Sequence, residues 1–252
     1  MTLNEKNVRL FFVRPQNLHG DRFVLDETES KHASNVLRFE VGDMCRAFDG
    51  EGKVYEGCIE LINSRHVEVV DATCIYSEEK KHEVHIAQAI PQKAKFDWIV
   101  EKMTELGVRK IIPLLTERTV PRIAKEKQDK VLSRWKDIAL QTAKQSKTLW
   151  LPVCEVPIKF AALVATFSSY DVVLIPTPGA SRSLNACLAE KSHGETPLRI
   201  LVCIGPEGGF TDAEILLAGE AGAISCSLGS TILKTDTAAI VSMGCVNQWF
   251  MT

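Results

Sequence analysis

The 252-residue sequence lacks any uncharged stretch that is both long enough and apolar enough to span a bilayer. Its first segment, MTLNEKNVRLFF, also lacks the basic stretch followed by an apolar run that marks a signal peptide. These two absences argue against a membrane or secreted protein. We therefore expect the chain to act in the cytoplasm.

The eight cysteines and six histidines lack the spacing that is typical of metal sites. No CxxC pair occurs, the cysteines lie 13 or more residues apart, and most of their neighbours are apolar. Such cysteines behave as small hydrophobic residues in a reducing compartment. We therefore expect buried, reduced thiols and no metal site.

A large excess of charge of one sign is also missing, because 30 basic and 32 acidic side chains give a formal net charge of -2. That total argues against a surface built entirely to hold nucleic acid. The charge is unevenly distributed, however: residues 1–76 carry a net charge of -4, residues 77–150 carry +6, and residues 151–252 carry -4. The basic middle third is either a solvated helix face or a stripe that positions a polyanion.

Two domains are expected from the length and from a change of pattern near residue 77. Residues 1–76 hold short β-rich runs, a short helix at 30–37 and a hairpin around the glycines of 49–52, which predict a small β-barrel. The charged segment 77–81 is the predicted linker. Residues 77–252 alternate strands with helices, and this α/β pattern predicts a parallel sheet covered by helices on both faces.

Two glycine-containing loops each follow a predicted strand and precede a predicted helix. The first, IGPEGGF at 204–210, leads into Thr211 and Glu214, whose spacing predicts a capping box. The second is SLGSTILKTDTAA at 227–239. Glycine lets a ligand approach the backbone closely. Neither loop fits the P-loop or the dinucleotide-binding fingerprint, so these two kinds of nucleotide site are not expected. The loops predict one ligand shared between them, with plain turns as the alternative.

These loops resemble those of the SPOUT-class RNA methyltransferases, specifically the ribosomal small-subunit methyltransferase E family, which makes 3-methyluridine at position 1498 of 16S rRNA. The likeness covers nearly the whole chain and includes HASNVLRFEVGD, FDGEG, KFDWIVEKMTELGV, IIPLLTERTV and TAKQSK. It implies an N-terminal PUA-like β-barrel over 1–76. It also implies a SPOUT methyltransferase domain over 77–252 whose chain forms a trefoil knot, a rare exception to unknotted topology.

The resemblance further implies S-adenosylmethionine as the cofactor, held by both glycine loops. Motif matching assigns the cofactor contacts to Ile204, Gly205, Glu207, Gly208, Gly209, Leu228, Gly229, Ser230, Ile232 and Leu233. Ile232 and Leu233 could equally be core residues. Family members are usually homodimers in which the C-terminal helix packs against the partner chain, and the small residues of 237–250 are compatible with that.

Methyl transfer to uridine N3 requires a cationic or hydrogen-bonding group near the uracil carbonyls, because negative charge develops there. The candidates for this role are Lys234, Arg182 and Asn185. Each of them could instead be an ordinary surface residue, and the general base is not identifiable from the sequence. The family commonly has arginine where Thr231 and Lys234 stand.

The basic middle third and its flanks supply the predicted contacts to 16S rRNA. These contacts are Arg118, Thr119, Arg122, Lys144 and Lys147. Two alternatives to the uridine N3 reaction stay open. The chain could be a knotted methyltransferase that acts on another rRNA or tRNA position, including a ribose 2′-oxygen. It could also be a catalytically silent RNA-binding protein of ribosome assembly.

Overall fold

The structure is a computed structural model that describes residues 9–79, 82–92, 95–190 and 197–251. Contacts divide the chain into one unit of Met1–Lys80 with Ala143–Leu151 and a second unit of Lys81–Thr142 with Pro152–Thr252. The segment 143–151 therefore belongs to the first unit, whereas the predicted boundary at 76/77 assigned it to the second domain. Lys80 and Lys81 of the predicted linker, and residues 1–8 of the N-terminal segment, lie outside the described residues.

The first unit is built on a six-stranded sheet in the order β1-β4-β5-β6-β3-β2. Its strands are β1 Leu10–Phe12, β2 Leu18–His19, β3 Arg22–Leu25, β4 Met44–Phe48, β5 Lys53–Ile62 and β6 Val67–Ser77. All pairings are antiparallel except that of β1 with β4. Helix α1, Glu27–Lys31, is capped by Asp26 and continues into a π-helical turn at His32–Val36. The predicted hairpin and short helix are thus confirmed.

The segment 143–151 joins the first unit through the turn that connects β4 to β5. The Leu151 amide donates to the Gly50 carbonyl at 3.0 Å, and the Gly52 amide donates to the Leu149 carbonyl at 3.2 Å. A Cβ atom at Gly52 would lie 2.5 Å from the Trp150 ring, so only glycine fits beneath the indole. Backbone pairing and this close approach explain why a segment distant in sequence packs here.

The second unit is a seven-stranded sheet in which every pairing is parallel. Its strands are β7 Glu83–Ala89, β8 Lys110–Leu115, β9 Val153–Cys154, β10 Ile158–Lys159, β11 Val172–Pro176, β12 Arg199–Ile204 and β13 Ile224–Cys226. The order is β10-β8-β7-β12-β11-β13, and β9 also pairs with β8. The predicted alternation of strands and helices is confirmed.

Helices cover both faces of this sheet. They are α2 Phe96–Glu105, α3 Lys125–Ser146, α4 Phe160–Val164, α5 Leu184–Ala189, α6 Asp212–Glu220 and α7 Thr235–Met251, and short 3-10 turns occur at Pro15–Asn17 and Phe167–Ser169. One apolar core lies under α2, α3, α5 and α7, and the other lies under α4 and α6. Successive strand residues enter different cores, as Val202 and Cys203 do, which is why the strands read as continuous apolar runs.

The chain leaves the sheet edge at β13 and returns through residues 227–234 to α7, which packs against the central strands β7 and β12. This return past β11 is compatible with the trefoil knot, which stays a prediction. Within the described ranges, no helix combines the length and hydropathy of a membrane-spanning segment.

Candidate cofactor and substrate site

A cavity of about 520 Å³ lies at the carboxyl ends of β11, β12 and β13. These three strands are neighbours in the sheet, so the loops that follow them converge. We call the space the cofactor cavity. Its lining residues are Pro176, Thr177, Pro178, Ile204, Gly205, Pro206, Glu207, Gly208, Gly209, Phe210, Asp212, Ile215, Ser227, Leu228, Gly229, Thr231, Ile232, Leu233, Lys234, Thr235 and Ala238.

The structure brings the two predicted glycine loops together around this cavity. Nine of the ten predicted cofactor residues line it, and Ser230 is the exception. The side chain of Ile232 is 84% exposed, so the alternative that it belongs to the core is wrong. Leu233 is half-buried. An exposed isoleucine at a cavity mouth offers apolar surface to a bound ligand.

The glycines of the first loop permit backbone geometry that a side chain would obstruct. A Cβ atom at Gly205 would lie 3.1 Å from the Phe210 ring, and Gly209 has a φ of +68°. The capping box is confirmed, because the Thr211 side chain accepts from the Glu214 amide and the Glu214 carboxylate accepts from the Thr211 amide. The turn from β12 into α6 is therefore fixed closely around the cavity.

A third loop, residues 176–178 after β11, also lines the cavity and was missed by the sequence analysis. The loop continues through one glycine, Gly179 with a φ of +80°, but contains no glycine-rich motif like those that marked the other two loops. The available signal was topological: a strand placed between β12 and β13 must end at the same edge of the sheet.

A buried hydrogen-bond chain ties the second glycine loop to the first. The Thr235 hydroxyl donates to the Gly205 carbonyl at 2.6 Å and accepts from the Gln88 side-chain amide at 2.9 Å. The same Gln88 nitrogen donates to the Ala89 carbonyl at 2.9 Å. Gln88 is fully buried on β7, so the start of α7 is fixed to the centre of the sheet.

An ion pair between Lys95 and Asp236, at 2.7 Å, lies next to this series of hydrogen bonds. The hydrogen bond from Lys95 lowers the pKa of the Asp236 carboxyl, and burial opposes that effect. The carboxylate also accepts from the Thr237 amide within the first turn of α7. A negative charge here is favourable, because the amino end of a helix carries partial positive charge.

Arg118, a predicted RNA contact, holds the first glycine loop. Its guanidinium donates to the Gly208 carbonyl at 2.7 Å and to the Phe210 carbonyl at 3.4 Å. Glu207 is held in turn, because its carboxylate accepts from the Gln92 amide at 2.9 Å. The side chain of Arg118 is exposed and can still meet a phosphate, but its contact with the loop was not predicted.

Of the three predicted catalytic residues, only Lys234 lines the cofactor cavity, and its side chain is exposed. The Arg182 guanidinium forms an ion pair with Glu190 at the other end of α5. Asn185 is exposed on α5 and is not among the lining residues. Arg182 nevertheless lies next to the second glycine loop, because its carbonyl accepts from the amide of the lining residue Ser227 at 2.7 Å. The catalytic roles of Lys234, Arg182 and Asn185 stay predictions.

Two of the five predicted RNA contacts have structural partners instead. Thr119 is 5% exposed, and its hydroxyl accepts from the Thr116 amide at 3.0 Å within a turn. Lys144 pairs with the buried carboxylate of Glu29 at 2.6 Å inside the first unit. Both side chains are thus engaged within the chain, and their contact with RNA stays a prediction. Arg122 and Lys147 are exposed, as an RNA contact requires.

No cysteine is among the described residues that line the cofactor cavity. Burial raises the pKa of Cys226, which ends β13 just before the second glycine loop, to about 12, so this thiol stays protonated near neutral pH. Across the part of the chain that the structure describes, no group of three His, Cys, Asp or Glu side chains is arranged to hold a metal ion.

Comparison with known proteins gives consistent matches over both units. A family model described as an RNA methyltransferase domain matches residues 78–247, and one described as an RNA methyltransferase PUA domain matches residues 25–72. The chain is 32% identical to the ribosomal RNA small subunit methyltransferase E of Synechocystis over 93% of this chain and 76% of that protein. It is 29% identical to the Bacillus subtilis protein of the same name, over 89% of each chain.

Among solved structures, a methyltransferase of Legionella pneumophila superimposes with a TM-score of 0.81 at 28% identity. The match covers 96% of this chain and 98% of that chain, and the Legionella protein was solved with its bound cofactor S-adenosylmethionine. The similarity therefore extends through both units.

Proposed function

Because the chain belongs to the ribosomal RNA small subunit methyltransferase E family, we propose that it uses S-adenosylmethionine to methylate N3 of one uridine in 16S rRNA. The observation that carries this proposal is the single cavity formed by both family loops. The target RNA is cytoplasmic, so we place the activity there.

The cofactor cavity fits S-adenosylmethionine in size and in chemistry. Its volume of about 520 Å³ lies in the range of small-molecule sites, and its lining combines apolar side chains with backbone polar groups of two glycine loops. When bound, the cofactor supplies an electrophilic methyl group, so the protein needs to position the uracil and stabilise its developing charge. The residues that would hold the cofactor are those of 204–210 and 227–233, together with 176–178.

Lys234 is the group that we assign to the charge that develops on the uracil. Its ammonium lies at the cavity lining, where a cation can stabilise a uracil anion after loss of the N3 proton. The other titratable side chains among the described lining residues are Glu207 and Asp212. The Glu207 carboxylate already accepts from the Gln92 amide. These two carboxylates are the candidates for the group that takes the proton.

Arg118, Arg122 and Lys147 remain the proposed contacts to the RNA, because each is exposed. We also propose that the enzyme works as a homodimer through α7. On that helix Ala239 and Ser242 are buried within the monomer, whereas Gly244 is exposed and allows close approach. Sedimentation analysis tests this proposal, since a monomeric active enzyme would contradict it.

The reaction is tested by supplying the purified protein and S-adenosylmethionine to small ribosomal subunits from a strain that lacks this enzyme. We expect 3-methyluridine at one site, mapped by mass spectrometry of rRNA fragments. A methyl group on another base or on a ribose would reject the N3 assignment. Absence of S-adenosylmethionine binding in titration calorimetry would favour the silent RNA-binding protein.

The role of Lys234 is tested by Lys234→Ala, with Lys102→Ala as the matched control. Lys102 carries the same charge but pairs with Glu101 and Glu105 on α2 and does not line the cavity. We expect Lys234→Ala to lower kcat about 100-fold while cofactor affinity changes by less than about threefold. Equal kcat values for the two variants would refute the assignment.

A further inference from the structure

A second cavity, of about 270 Å³, adjoins the cofactor cavity within the α/β unit. Helix α6 lines both cavities, through Asp212 and Ile215 on one side and through Glu214 and Leu217 on the other. We call this space the flanking cavity. Its lining residues are Leu115, Thr116, Glu117, Thr119, Arg122, Lys159, Phe160, Ala161, Glu214 and Leu217.

Aromatic packing also joins the two cavities. Phe160 of the flanking cavity packs against Phe210 of the cofactor cavity, with ring centroids 4.9 Å apart. Arg118 lies between Glu117 and Thr119, which line the flanking cavity, while its guanidinium holds the Gly208 carbonyl of the cofactor cavity. A ligand that spans both cavities would therefore pass the exposed side chain of Arg118.

Hydrogen bonds hold the flanking cavity in shape. The Glu214 carboxylate accepts from the Glu117 amide at 2.9 Å and from the Thr211 amide at 2.9 Å. The Thr116 and Thr119 hydroxyl oxygens lie 2.9 Å apart, which closes the turn on the other side. The Glu214 carboxylate is thus satisfied by backbone donors, and the exposed Glu117 carboxylate is the other acid of the lining, which also holds the cations of Arg122 and Lys159.

The chemistry of the lining fits a ligand that is both flat and anionic. Arg122 and Lys159 expose their cations, whereas Leu217 is 41% exposed beside the buried Phe160. The neighbouring Val120 is 70% exposed. Exposed apolar side chains next to cations are typical of surfaces that bind unpaired nucleotides, in which a base covers apolar groups and a phosphate meets the charge.

We propose that the flanking cavity binds one unpaired nucleotide of the RNA that neighbours the methylated uridine. The base lies against Leu217, and its phosphate binds Arg122 and Lys159. This inference rests on the proposed function, because it assumes that the target uridine enters the cofactor cavity. The subsite positions the RNA relative to the cofactor and takes no part in methyl transfer itself.

The test compares the wild type with the double variant Arg122→Ala/Lys159→Ala on small ribosomal subunits and on protein-free 16S rRNA fragments. We expect the KM for both RNAs to rise about tenfold, with kcat and cofactor affinity within about twofold of the wild type. The slope of log affinity against log salt should fall in magnitude by about 0.7 for one lost phosphate contact. Lys102→Ala is the charge-matched control.

A second variant, Leu217→Ser, separates the base contact from the phosphate contact. We expect it to raise KM several-fold without changing the salt slope, because it removes apolar surface and no charge. Fragments that carry 4-thiouridine beside the target should crosslink to peptides that contain Leu217.

Several outcomes would overturn the subsite. KM values for the double variant equal to those of Lys102→Ala would do so, as would crosslinks that map elsewhere. A KM effect seen with ribosomal subunits but not with protein-free RNA would assign the cavity to a ribosomal protein instead. If the wild-type protein methylates no small-subunit RNA, the proposed function is refuted. The crosslinking experiment does not depend on methyl transfer, so it tests the subsite separately.

Discussion

Replacing Thr235 by valine removes the hydroxyl that links the two glycine loops and preserves the shape of the side chain. The Gln88 amide is fully buried, so the loss of its Thr235 acceptor costs about 1–3 kcal/mol. Gly205 is half-buried, and its carbonyl can regain a water partner. The added methyl group returns about 0.8 kcal/mol. The net expectation is a loss of about 1 kcal/mol of unfolding free energy.

A loss of about 1 kcal/mol corresponds to a decrease in Tm of about 2–4 °C for a domain of this size. Calorimetric melting measures it, and titration with S-adenosylmethionine should show weaker binding because the cavity wall loses its anchor. Thr237→Val is the matched control, since Thr237 is exposed two residues further along α7. If Thr235→Val melted within 1 °C of Thr237→Val, the hydrogen-bond chain would not stabilise the site.

Two further predictions concern stability elsewhere in the chain. Lys144→Met should destabilise the protein by about 3 kcal/mol in urea unfolding, because it leaves Glu29 buried without its cation. Adding Glu29→Gln should recover most of that loss. As the control, Lys147→Met at an exposed position should change stability by less than about 0.5 kcal/mol. Burial and the nearby Lys110 lower the pKa of His85 to about 4, so the folded state takes up its proton less readily than the unfolded state. The neutral His85 side chain therefore contributes its full share to the unfolding free energy above about pH 6.5. That contribution is lost as the pH falls towards 4, by up to about 3 kcal/mol. His85→Gln should flatten this dependence in urea unfolding across that range, and parallel curves would contradict the assignment.

Local sequence patterns predicted the helices, strands and turns well, because these elements depend on residues that are close in sequence. The turn at Gly50–Gly52, the capping box of Thr211 and the alternating strands and helices all follow from backbone freedom, caps and apolar periodicity. The attachment of Trp150 to the first unit could not be predicted in this way, because it depends on a close approach between residues about 100 positions apart. Residues 176–178 were missed for a similar reason, since their place in the cavity follows from strand order.

The candidate site was predicted at the level of loops but not of side-chain partners. Glycine marks where a backbone can approach a ligand, so the motifs predicted most of the residues of the two glycine loops that line the cavity. A sequence does not show which acid a given arginine meets, and the pairing of Arg182 with Glu190 could not be predicted from the motifs. Conversely, the contact of Arg118 with the Gly208 carbonyl could not be read from either motif alone.

The same reasoning limits what the positive charge of residues 77–150 implies about RNA. At least three cations of this region have acidic partners outside it: Lys110 pairs with Glu155, Lys144 with Glu29, and Lys95 with Asp236. A cation that already neutralises an acid releases little counterion from RNA when it approaches a phosphate. The net charge of +6 therefore overstates the positive charge that is available to RNA. The salt dependence of RNA binding should reflect a smaller number of exposed cations, such as Arg122, and a slope that required every basic residue of the region would contradict this account.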